Sequence, residues 1–136
     1  MIIYLSKIDD RKLAIVDNIN NCINGLHFYG SEEDFIQVGT FRYLKDKILR
    51  SHRHIKRVRS IPKTEEIVIV FNGEVKVTIY DHDNSEVDSE ILTSGSFCIV
   101  YHGGVGYKVL SETADMLEVK LGDYSVKDDS EDRELI

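Results

Sequence analysis

The chain has 136 residues, of which 42% are hydrophobic and 30% charged, with a formal net charge of −7. That length suffices for one domain with a real core, since a chain of this size buries roughly two-thirds of the surface that its unfolded form exposes. The acidic balance argues against a nucleic-acid binder, whose affinity rests on neutralising phosphates, and no apolar run approaches the roughly 18 residues of a membrane span.

MIIYLSKIDD at the start carries no basic region ahead of its apolar run and no small-residue cleavage site. It does not read as a secretory signal, and a cytoplasmic protein is expected. Residues 9 to 23, DDRKLAIVDNINNCI, are compatible with a short helix or with a strand and a loop, the strand being preferred. Cys22 and Cys98 lie far apart without metal-ligand spacing, and Cys98 sits in the apolar run FCIV, so buried thiols are expected.

From residue 35 onward, short runs rich in Val, Ile, Tyr and Phe alternate with turn residues, the pattern of an all-β sandwich or barrel. The candidate strands are FIQVGTFRY, KILRSHRH, EIVIVF, EVKVTIYD, SEIL, SFCIVY, GYKVL and MLEVKL. Asn72-Gly73 supplies the positive φ angles of a tight hairpin turn. Asp81 to Asn84, Ser94-Gly95-Ser96 and His102-Gly103-Gly104 are further turns, and Pro62 falls between strands. His27 and His82 stand alone in loop-like sequence and read as solvated. One domain is expected over 1–136, with a polar acidic tail at about 124–136 that reads as mobile or surface-bound.

Residues 50 to 63 hold six of the 17 basic residues: Arg50, Arg53, Lys56, Arg57, Arg59 and Lys63. If KILRSHRH is a strand, Arg50, His52 and His54 share one face. Burying that face unpaired would cost roughly 1–3 kcal/mol for each unsatisfied polar group, so it is either an outer, wet face or a functional interior. Eleven residues separate His54 from Glu66, and six more separate Glu66 from Gly73. Of Glu65 and Glu66, alternation sends one inward and the other outward, and Glu66 is taken as the inward one.

His52, His54, Glu66 and Gly73 together resemble the first cupin motif, with a longer gap before the glutamate than is usual. His52-Arg53-His54, Arg59, Thr64-Glu65-Glu66 and IVIVFNGEVKVTIYD more closely resemble the small single-domain cupins of polysaccharide and nucleotide-sugar biosynthesis clusters. SGSFCIVYHGGVGYKVL and LEVKLGDY extend the resemblance to roughly residues 37 to 132. It implies a cupin-type, jelly-roll-like antiparallel β-barrel, paired as a homodimer, with a sugar-like or anionic small molecule as ligand and neither nucleic acid nor membrane as partner.

Three functions follow from that resemblance. In the first, a nucleotide-linked sugar is isomerised or epimerised: His52 or His54 takes a proton, Tyr107 or Tyr43 returns one, and Arg50, Arg57 and Arg59 hold the anionic part. In the second, His52, His54 and Glu66 bind Zn, Mn, Fe or Ni. That ligand set is incomplete, because Val105 stands where the group has a histidine, and His102 is the candidate fourth ligand. In the third, the barrel senses a ligand without chemistry.

Overall fold

The computed structural model describes residues 1–122 and 136. Its strands are β1 (Ile2–Leu5), β2 (Lys12–Asn18), β3 (Gly25–Tyr29), β4 (Val38–Arg42), β5 (Glu66–Asn72), β6 (Val75–Tyr80), β7 (Glu86–Leu92), β8 (Ser96–Val100), β9 (Gly104–Val109) and β10 (Asp115–Lys120), with a 3-10 turn at Ile19–Asn21. Each pair of neighbouring strands among the described residues is antiparallel. They form a five-stranded sheet in the order β1-β2-β8-β5-β10, a three-stranded sheet β7-β6-β9, and the hairpin β3-β4. The all-β, antiparallel expectation is met. No helix among the described residues is long and apolar enough to cross a membrane.

Strand periodicity builds three layers from these sheets. In β6, Val75, Val77 and Ile79 are fully buried, while Lys76, Thr78 and Tyr80 between them are half-buried. The buried row packs with Leu92 of β7 against Tyr4, Ala14, Val16, Val70, Cys98 and Val100 of the five-stranded sheet. On the other face of that sheet, Ile15, Ile67, Phe97 and Ile99 meet Tyr29 of β3 and Ile36. β8 is therefore covered on both faces, which is why SFCIV is apolar without alternation. Full burial stabilises by roughly 1.5–3 kcal/mol for each large apolar side chain, so β8 contributes more per residue than any strand with one wet face.

Turn chemistry fixes how the layers connect. Gly73, in the turn from β5 to β6, has φ +87°, and a Cβ there would lie 2.4 Å from the Thr113 carbonyl oxygen. At the next turn, Asn84 takes φ +66°, and the buried carboxylate of Asp81 accepts from the Ser6 hydroxyl at 2.8 Å and the Lys7 amide at 2.7 Å. The β1–β2 and β6–β7 turns are thereby tied together, and Asp81-His82-Asp83 serves turn geometry as its composition implied.

Two expectations are corrected. Residues 47 to 54 form no strand: the 23 positions from 43 to 65 carry only a turn between β4 and β5, and positions 43 to 62 are exposed throughout. Arg50, His52 and His54 would have formed one face of that strand and Ser51 and Arg53 the other. Such a strand has no apolar row to offset the cost of ordering it. Second, Glu65 does not point to solvent, because both faces of the five-stranded sheet are covered. The acidic tail falls largely outside the described residues.

Gly73→Ala should lower stability by about 1–3 kcal/mol, from the positive φ and the backbone contact together. Urea unfolding would show a lower midpoint at unchanged slope. An unchanged midpoint would mean that this turn relaxes freely.

Candidate functional site

Glu66 opens β5 on the sandwich side of the five-stranded sheet, in register with Val100 of β8 and Lys120 of β10. Two residues along β10, Glu118 projects to the same side opposite Val68. From the facing sheet, Tyr107 lies opposite Val77 in β9, and its hydroxyl donates to Glu66 Oε1 at 3.4 Å. The thiol of Cys98 is fully buried beside them. Three strands of one sheet and one of the other thus deliver two carboxyls, a phenol, a thiol and an ammonium to one end of the sandwich. Glu66, Tyr107 and Lys120 are half-buried and Glu118 is exposed, so the group meets solvent.

Burial, followed by the negative charge of Glu118 and a proton shared with it, pushes the Glu66 carboxyl from its ordinary 4.5 to about 7, against the opposing pull of Tyr107 and Lys120. The same burial, together with the charge of Glu66, raises the Cys98 thiol to about 12, which keeps it protonated and unreactive. Burial and the neighbouring Cys98 and Glu66 raise Tyr107 well above the ordinary phenol range, leaving it a hydrogen-bond donor. A carboxyl that titrates near neutrality next to a fixed donor can take up and release a proton at physiological pH.

Glu65 follows the opposite course. Its carboxylate is 1% exposed, accepts from the Ile36 amide at 2.7 Å and forms an ion pair with Lys63 at 2.9 Å. The Lys63 ammonium also donates to the Tyr101 carbonyl at 2.6 Å and to His102 Nε2 at 2.9 Å. Burial and the Lys63 charge lower the His102 pKa, consistent with a neutral ring that accepts at Nε2. His102 is therefore engaged with the partner of Glu65, and its ring stands 6.0 Å from that of His82.

The structure brings Glu66 and Tyr107 together but leaves the other expected residues elsewhere. His52 and His54 face each other at 5.2 Å between ring centres on the exposed 43–65 loop. His52 Nδ1 is 3.0 Å from the Arg50 carbonyl, to which it donates. Arg50, Arg57 and Arg59 are exposed on the same loop, and Tyr43 stands at its start near Phe41. Val105 points into the sandwich against the apolar core, as its pairing with Ile79 requires.

Among the described residues, no three His, Cys, Asp or Glu side chains form a group that could hold a metal ion. The expected donors His52, His54 and Glu66, with His102 beside them, do not fit a metal centre here. The histidine pair is in the loop, and His102 is bound to Lys63. Sequence reading missed Glu118 and Lys120, although alternation in LEVKL places both on the face of Glu66. Knowing that β10 pairs with β5 was the missing step.

Because folding raises the Glu66 pKa, the folded state binds the extra proton between pH 4.5 and about 7. Its contribution is fully present below 4.5 and is lost as pH rises through 7. Urea unfolding at pH 5 and pH 8 should show higher stability at pH 5, and Glu66→Gln should flatten that difference. An identical pH dependence in the variant would show that Glu66 is ionised and well solvated at neutral pH.

Comparison with known proteins finds no family model, no curated sequence and no solved structure that matches this chain.

Proposed function

We propose that this chain is a small cupin-type, jelly-roll-like protein that binds a small polar metabolite at the Glu66 end of its sandwich and moves a proton on it. The observation that carries this reading is the pairing of a near-neutral Glu66 carboxyl with the Tyr107 hydroxyl at 3.4 Å in a half-buried, solvent-reachable position. A ligand with a carbonyl suits it: Glu66 takes the proton from the adjacent carbon, and a protonated donor returns one to either face. The product is an isomer or epimer, with no net gain or loss of atoms. A nucleotide-linked sugar is the substrate class, in keeping with the resemblance and with the cationic loop.

His52 and His54 enter this scheme through their loop. Its last residues are fixed by Lys63 and Glu65 directly before Glu66, so the loop that carries them leads straight into the strand that carries the carboxyl. Loops this long without secondary structure are commonly functional. Second copies of the chain pair through β1, one of the two outer strands of the five-stranded sheet, where Ile3 and Leu5 are exposed.

Incubation with nucleotide-linked keto-sugars in heavy water should exchange a proton beside the carbonyl. Glu66→Gln and Tyr107→Phe should each slow exchange by roughly 10²–10⁴-fold with little change in ligand affinity. His52→Asn and His54→Asn test the loop in the same assay. Tight binding without exchange of any proton would discard the isomerase and favour a ligand-sensing module.

For the assembly, sedimentation should give a dimer that Ile3→Lys dissociates. A monomeric natural protein would remove the second copy from the account.

A further inference from the structure

A pocket of about 450 Å³ lies at the open end of the β3–β4 hairpin, apart from every residue of the Glu66 group. Its open wall is formed by Asn24, Gly25, Arg42, Tyr43, Lys45 and Lys47 among others. Its volume is in the range of roughly 300–1,000 Å³ typical of small-molecule sites. Three cations against Asp46 alone give the lining a net charge of +2, on a chain of net charge −7. The surrounding sequence sharpens the contrast. Residues 42 to 63 hold nine basic side chains and one acidic one, a balance of +8, so the rest of the chain carries −15.

Local structure positions these cations. The Lys47 amide donates to the Leu44 carbonyl at 3.3 Å, closing a turn in which Asp46 takes φ +67°. That turn carries Lys45 and Lys47 on either side of Asp46. One guanidinium nitrogen of Arg42 donates to the Asn20 carbonyl at 3.2 Å, which holds the side chain while its other N–H groups stay available for a phosphate. The Tyr43 ring lines the same pocket, with the Lys47 ammonium 5.4 Å from its centre. At Gly25, with φ +95°, the space a Cβ would occupy is open, so this wall stays bare.

We propose that this pocket binds the nucleoside diphosphate part of a ligand. Arg42, Lys45 and Lys47 take the diphosphate, and Tyr43 offers its ring to the base. Arginine supplies a planar fork and the lysines supply mobile point charges, a combination suited to two adjacent phosphates. The inference does not depend on chemistry at Glu66, since the two sites share no residue.

Calorimetric titration of the natural protein with UDP, inorganic pyrophosphate and uridine tests it. UDP and pyrophosphate should bind, and uridine at least about tenfold more weakly than UDP, because charge carries most of the affinity. The Lys45→Glu/Lys47→Glu double variant should lose at least about tenfold in UDP affinity at an unchanged unfolding midpoint, both lysines being exposed. Tyr43→Ala should weaken UDP and leave pyrophosphate unaffected. Glu66→Gln and Tyr107→Phe should leave UDP binding intact, so a failure of the proton-transfer reading would not disturb this result. Absence of UDP and pyrophosphate binding, or equal UDP affinity in the double variant, would overturn the proposal. Loss of UDP binding in Glu66→Gln would do the same by placing the diphosphate at the sandwich end.

Discussion

Two covered faces of one sheet set the terms for everything else in this molecule. The pleat at the start of β5 sends Glu65 and Glu66 to opposite faces, and neither face is open water. A buried carboxylate costs several kcal/mol unless it is paired or protonated. Glu65 is paired, with the Ile36 amide and the Lys63 ammonium in contact. Glu66 is met by a second carboxylate, Glu118, and the response is a pKa near neutrality. Two chemically identical neighbours are thus a fixed strut and a titrating group, and the difference lies in what the flanking layers present.

The strut has a mechanical consequence for the loop ahead of it. Residues 43 to 62 carry Leu44, Ile48, Ile55 and Val58 at 78–98% exposure, so no internal core restrains them. Their only deep attachment among the described contacts is at the far end, where Lys63 reaches Glu65, the Tyr101 carbonyl and His102. The chain that carries the histidine pair is therefore anchored in the residues just before β5, on the face opposite Glu66. A loop hinged at a buried ion pair can change its upper half without disturbing β5, because the pair belongs to the layer behind the sheet.

Much of the fold was legible in the sequence because period-2 alternation and turn chemistry are local. Asn72-Gly73 and the VKVTIY alternation identify β5 and β6 without knowledge of the rest. SFCIV announces a strand covered on both sides, which was the clue that Glu65 had no solvent face to occupy. KILRSHRH was misread because His52 and His54 satisfy the spacing rule of a strand face without supplying anything to bury. The candidate site was half legible. Glu66 and Tyr107 could be named, but their meeting with Glu118 and Lys120 depends on β10 closing the far edge beside β5, a non-local pairing that no spacing rule reports.

The anionic ligand proposed above would require an acidic protein to gather its cations in one place, and this chain does so. With +8 over residues 42 to 63 and −15 elsewhere, the chain is strongly polarised along its sequence. A diphosphate is small enough to be held within that one segment. The exposed cations are screened over roughly 8–10 Å at physiological salt, so the selection acts at close range and favours compact, densely charged ligands. At the Glu66 end no cation prevails: burial and the Glu118 charge outweigh the pull of Tyr107 and Lys120, so the carboxyl sits near neutrality instead of being held ionised.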